Sequence, residues 1–281
     1  MFTGTHLYAE EKPLIAFIGY TNGFWQVWLM DKEGQNQKQI TKTPYDKNRV
    51  SWYPDGEHLL VNSFQGKLEK VSTKSGKSKE IILPLKGMVD AVISPDGKQV
   101  AFSLSTAQGV DANNIWLVNE NGKNLKKLTR MSQIQHEPLW SNDSKWLYFL
   151  SLGEDKQAHD IWRVNISDQS TEQITVAQIY QFEISISKDD ELAFSSNRSG
   201  NYEIWKMKPG KSAIKLTNHP MLDGHPNWSP DSQYILFESN RDGGVTNIWK
   251  MNSNGENLKQ LTYFERGAKK PVWFTNKGIA K

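Results

Sequence analysis

A short turn of the Ser-Pro-Asp-Gly kind returns along this chain at nearly even intervals, and that recurrence constrains the fold more than any other feature. The residue opening each turn is Tyr53, Ser94, Ser141, Ser187, Ser229 and Phe274, so successive turns lie 41, 47, 46, 42 and 45 residues apart. Around each turn the same four segments recur. A first segment ends on an aromatic or branched residue: Trp52, Ile93, Trp140, Ile186, Trp228 or Trp273. Pro, Asp and Gly then supply the fixed and positive φ angles of a tight reversal. A second segment alternates apolar residues, as in Gln99–Ser103 and Tyr234–Glu238. A third carries Ile-Trp (Ile115-Trp116, Ile161-Trp162, Ile204-Trp205, Ile248-Trp249, with Val27-Trp28 as a variant), and a fourth ends at Thr41, Thr129, Thr175, Thr217 or Thr262. Gly-centred hairpins such as Asn119–Gly122 and Asn252–Gly255 join the third to the fourth. Four short strands in a period of about 40–45 residues are the signature of a propeller blade.

Strand bookkeeping predicts how the ring closes. The chain opens on second-strand material, Leu14–Phe17, and ends on a first strand, Pro271–Trp273. Pairing the two ends gives an all-β, six-bladed propeller of four-stranded antiparallel blades, sealed by the C-terminal strand joining the N-terminal blade. Closure removes the exposed edge of an open array. Residues 1–12 read as an N-terminal extension and 13–281 as one propeller domain, with the last residues, around Gly278–Ala280, loose or displaced. Of the 11 Trp, only Trp25 and Trp146 fall outside the first- and third-strand positions. The others are expected to pack blade on blade, with Trp205 and Trp249 deeply buried. The unit around Leu68 lacks the third-strand Trp and has a short connection at Ser63–Gly66, which makes it the most divergent blade.

Composition excludes several function classes. There is no cysteine, hence no disulfide framework, thiol nucleophile or Cys-liganded metal. A formal net charge of +3 on 281 residues gives no general pull toward nucleic acid or anionic lipid. No apolar run approaches the ~18 residues of a membrane span, so no direct membrane insertion is expected, and Met1–Glu11 lacks the layout of a signal peptide.

The segments Phe194–Trp205 (FSSNRSGNYEIW) and Phe237–Trp249 (FESNRDGGVTNIW), each followed by Gly and Leu-Thr and separated by Trp228-Ser-Pro-Asp231, resemble the TolB-type propeller repeat. No Trp-Asp dipeptide of the WD type occurs. The resemblance runs from about Pro13 to Ala280 and implies a binding platform, bacterial and periplasmic or otherwise extracytoplasmic. Related blades also occur as accessory domains of prolyl-oligopeptidase-like and tricorn-like enzymes. Nothing here matches the N-terminal α/β domain of TolB, and no Gly-x-Ser-x-Gly elbow is present.

The search for chemistry gives no catalytic residues, no cofactor and no metal ligands. There is no His-Glu-x-x-His and no phosphate-cradling Gly-rich loop. His136-Glu137 is set aside as a metal pair because adjacent residues on a strand point to opposite faces. Asp31–Gly34 lacks the carboxylates of a calcium loop and reads as a hairpin turn. The repeat register is more informative. Four residues before each turn stand Arg49, Asp90, Glu137, Glu183, His225 and Lys270, all ionisable in a chain that is 23% charged. Three acidic residues are consecutive round the ring, followed by three basic ones. These six are the predicted ligand-binding residues, at the channel mouth, with the loops Ser105–Asn113 and Leu152–His159 walling one side. The same groups could equally pair with one another and plug the channel. The reading is a non-enzymatic, monomeric propeller binding a protein or peptide partner, as scaffold or sensor. The alternative is a carbohydrate-active or carbohydrate-binding propeller that uses the acidic arc, with Tyr45, Phe182 and Tyr263 as candidate stacking aromatics.

Overall fold

The computed structural model describes residues 15–104, 114–152, 158–176 and 180–275. Calls on the N-terminal extension, Gly278–Ala280 and the greater part of both long loops fall outside these residues. The described residues form six four-stranded antiparallel sheets. In the first blade the C-terminal strand Ala268–Trp273 pairs with Ile15–Thr21, followed by Phe24–Met30 and Lys38–Gln39. The other blades begin at Lys47–Trp52, Met88–Ile93, Gln135–Trp140, Gln181–Ile186 and Asp223–Trp228, each running in sequence order from first to fourth strand. The fold is the predicted all-β six-bladed propeller with the predicted seal. No helix among the described residues is long and apolar enough to cross a membrane.

The turns opened by Tyr53, Ser94, Ser141, Ser187 and Ser229 are held by their own side chains. Ser94 Oγ accepts the N–H groups of Lys98 and Gln99 and donates to Asp96, and Ser229 donates to Asp231 while accepting from Tyr234. The Leu-Thr motif has an equally local cause. The hydroxyl of Thr41, Thr129, Thr175, Thr217 and Thr262 accepts the N–H of Val27, Ile115, Ile161, Ile204 and Ile248 at 2.8–2.9 Å. It thereby satisfies a buried backbone donor that has no other strand to pair with.

The Ile-Trp pair is buried the other way round from expectation. Ile204 and Ile248 are fully buried, whereas Trp205 and Trp249 are only half-buried. The wholly buried aromatics among the described residues are those of the second strands, Phe17, Phe102, Phe149, Phe194 and Phe237, each directly opposite a third-strand Trp. The Trp therefore caps a Phe from the periphery of the blade and remains partly open. In two blades an arginine covers it from outside, Arg198 at 4.9 Å from the Trp205 ring and Arg241 at 5.0 Å from that of Trp249.

The divergent blade departs coherently. Lys70, opposite Leu60, lies 4.2 Å over the Tyr53 ring and pairs with Glu120 at 2.8 Å. Beside it Glu69 takes the Trp position opposite Val61, and Leu68 takes that of the buried Ile. Glu69 is held by Lys47 at 2.5 Å and by the Tyr45 hydroxyl at 3.1 Å, with Lys47 wholly buried. A buried carboxylate needs such partners to be tolerated.

Candidate functional site

Five of the six ring residues occupy a strained backbone. Asp90, Glu137, Glu183, His225 and Lys270 have φ between 48° and 60°. The first-strand registers slip between Val89 and Val92, His136 and Leu139, Phe182 and Ser185, and Gly224 and Asn227, with the corresponding irregularity opposite Phe17 in the first blade. Each ring residue is thus the first residue of a β-bulge, set opposite the fully buried Phe of the next strand. Arg49 is the exception: its slip falls between Lys47 and Arg49, and its φ is not positive. Left-handed φ at non-glycine residues costs on the order of 1–3 kcal/mol each, and bulges re-aim side chains. Here they turn the ionisable groups into the bore.

The bulge also corrects the reasoning on His136 and Glu137. Strand alternation should separate them, yet His136 Nδ1 lies 3.6 Å from Glu137 Oε1, because the left-handed residue breaks the alternation.

All six residues line one cavity, open to solvent. Its other walls include Val92, Leu139, Pro226 and Val272, and it extends toward the turn residues Pro54, Pro95 and Asn142. The ring therefore lies within the bore, and the cavity runs from it toward the first-to-second-strand turns.

Neighbouring blades are linked through the ring. The Glu137 carboxylate accepts the N–H of Glu183 at 2.7 Å, and that of Glu183 accepts the N–H of His225 at 2.6 Å. Glu238 accepts the N–H of Lys270 at 3.3 Å. Ion pairs form where the arcs meet: Arg49–Asp90 at 3.6 Å and Glu183–His225 at 2.7 Å. Arg49 also reaches the Pro138 carbonyl at 3.2 Å. The centres of the arcs face each other three blades apart. Glu137 belongs to one, and Lys270, bonded through Nζ to Asn48 at 3.1 Å, to the other.

Burial opposes charge on His225, but Glu183 and Glu238 outweigh it and raise the imidazole to about 10. Burial likewise opposes charge on Glu137, and His136, Arg49 and His225 overcome it, bringing the carboxyl to about 2. Both groups are charged at neutral pH, so the arcs are acidic and basic as built.

Sequence reasoning missed Glu238. It follows Phe237 on the second strand, in a column otherwise filled by Ile18, Asn62, Ser103, Leu150 and Ser195. A lone carboxylate in a column of uncharged residues was the available signal. Of the candidate aromatics, Tyr45 is engaged with Lys47 and Glu69, and Tyr263 is exposed. Phe182 packs among His159, Tyr180 and Tyr202.

His159 supplies a pH test. Burial, and then the charge of His136, depress its imidazole to about 4, and its Nδ1 is buried without a hydrogen-bond partner among the described residues. A depressed histidine contributes stability that is present above the unfolded value near 6.5 and lost as pH falls toward the folded one. Moving from pH 7.5 to 5 should cost about 2 kcal/mol through this residue. Because His225, raised above its unfolded value, gains stability over the same fall in pH, the loss is read as the difference between wild type and His159→Gln in urea melts at the two pH values. An equal pH response in the variant would assign the effect elsewhere.

The architecture and the polarised bore define a closed six-bladed propeller with an ionic ring at its axis. The profile of the TolB beta propeller domain matches residues 14–192 and 187–279, and the chain belongs to that family. The uncharacterised protein Atu1656 of Agrobacterium fabrum is 28% identical over 73% of this chain and 70% of its own. The uncharacterised peptidase YuxL of Bacillus subtilis is 27% identical over 71% of this chain. The Tol-Pal system protein TolB of Anaeromyxobacter dehalogenans is 29% identical over 45% of it. The aligned regions span only 28% of the peptidase and 29% of that TolB. Among solved structures, TolB from Acinetobacter baumannii superposes with a TM-score of 0.81 at 20% identity, over 93% of this chain and 66% of that one.

Proposed function

We propose that this propeller is a non-enzymatic, monomeric, extracytoplasmic module that binds a protein or peptide partner through the ionic ring, as a scaffold or sensor. The observation that carries this is the strained ring itself. Five ionisable residues hold left-handed conformations in which glycine would be free of strain, so their side chains offset a backbone cost. Relatedness to a Tol-Pal system protein supports a protein partner. An extended segment with separated charges suits the bore, its cations toward Asp90, Glu137 and Glu183 and its carboxylates toward Lys270 and Arg49.

Panning a displayed library of linear peptides on the immobilised protein tests this. Enriched peptides should carry both charge signs, and raising NaCl from about 50 to 300 mM should weaken them several-fold, because screening acts on partly exposed pairs. Enrichment of uncharged, salt-insensitive sequences would contradict it. A carbohydrate reading draws on Tyr180, exposed and stacked parallel on Phe182. It predicts binding of oligosaccharides that Tyr180→Ala abolishes and Arg49→Gln/Lys270→Gln leaves intact.

A further inference from the structure

At the junction of the fifth and sixth blades three side chains converge, bonded to one another through their inward atoms. His225 Nδ1 lies 2.7 Å from Glu183 Oε1 and is hydrogen-bonded to Glu238 Oε1. The three donor atoms all lie within 4.8 Å of one another. The outer oxygens are already in use. Glu183 Oε2 accepts from Ser195 Oγ and from the His225 N–H, both at 2.6 Å, and Glu238 Oε2 accepts the N–H of Lys270. Each carboxylate is thus oriented through one oxygen and presents the other to a common point. This is the division of labour between ligating atoms and supporting hydrogen bonds found in metal sites. Glu183 and His225 also line the cavity, so the common point is reached from the bore.

We propose that Glu183 Oε1, Glu238 Oε1 and His225 Nδ1 bind one divalent transition-metal ion at the wall of the channel. One imidazole nitrogen and two carboxylate oxygens suit Mn²⁺, Fe²⁺, Co²⁺, Ni²⁺ or Zn²⁺. Ca²⁺ takes six to eight oxygen ligands and is poorly served by three donors of which one is nitrogen. Binding replaces the proton on Nδ1 with the ion, so the basic arc keeps a cation at this point. Three protein ligands leave coordination positions toward the cavity for water or for a carboxylate of an entering segment. The site stands independently of the peptide reading, since its donors are set by protein contacts alone.

The test is calorimetric titration of chelator-stripped full-length protein at pH 8 with MnCl₂, CoCl₂, NiCl₂ and ZnCl₂ singly, beside MgCl₂ and CaCl₂. One equivalent of at least one transition ion should bind, with Ca²⁺ and Mg²⁺ at least about 100-fold weaker. His225→Gln and Glu238→Gln should each remove that equivalent, and Ser195→Ala should weaken it about 10-fold through the orientation of Glu183. The absorption spectrum of the Co²⁺ complex should lose its ligand-field bands in His225→Gln. His136→Gln, outside the triad, should bind normally. Absence of stoichiometric binding to wild-type protein, or an equivalent that survives in folded His225→Gln and Glu238→Gln alike, would overturn the proposal. Should one variant fail to fold, as judged by its melting curve, the other and Ser195→Ala decide.

Discussion

Deleting Lys269–Lys281 should abolish cooperative unfolding rather than lower its midpoint. The strand Ala268–Trp273 is the innermost of the first blade, and it holds the ring shut by contacts on both sides. Its Val272 carbonyl accepts the Trp52 indole N–H at 3.1 Å from the second blade, and its Trp273 N–H donates to Asn227 at 2.8 Å in the sixth. Without it, Ile15–Thr21 presents an unpaired edge on the channel, and the buried Phe17 and Ile15 lose their cover. Open edges of this kind template aggregation. Size-exclusion chromatography and urea melts should show aggregates or a broad, sloping transition. A monomer melting like the parent would refute the seal.

Phe237→Ala should cost about 3–5 kcal/mol, because a fully buried ring leaves a cavity that the surrounding sheet cannot fill. Trp249→Ala, although it removes more atoms, should cost less, about 1–2 kcal/mol, since the indole is half-buried and part of its surface already meets solvent or Arg241. Equilibrium urea denaturation of both variants ranks them. A larger loss for Trp249 would mean that the third-strand Trp, and not the second-strand Phe, anchors the blade interface.

That ranking reverses what the Ile-Trp dipeptide suggests on its own, and the reversal marks where sequence reading stops. Blade number, strand order and closure were legible because a repeated turn fixes the period and the two chain ends are complementary halves of one blade. Which residue of Ile-Trp faces the interior was not, since either is apolar enough. The Thr hydroxyl that receives the Ile N–H decides it, and that contact joins residues 13 or 14 positions apart. The six ring positions were legible from register alone. Their conformation was not, although Pro138, Pro226 and Pro271 follow Glu137, His225 and Lys270, and a proline within a strand is a known companion of bulges. Glu238 escaped because it belongs to another strand and meets His225 only through the cross-strand pairing of the sixth blade.

The central claim is that the ring is a binding site and not a plug. It is tested most directly by titrating one enriched charged peptide into Glu137→Gln/Glu183→Gln and Arg49→Gln/Lys270→Gln protein, with melting curves recorded on the same samples. Glu→Gln keeps the side-chain shape while removing its charge, and Arg→Gln and Lys→Gln remove charge while leaving a shorter polar side chain. The account predicts that both double variants fold and that each loses about 1–3 kcal/mol of affinity per charge-assisted contact removed. Unchanged affinity in both, with melting temperatures lowered, would show that the charges serve only to close the channel.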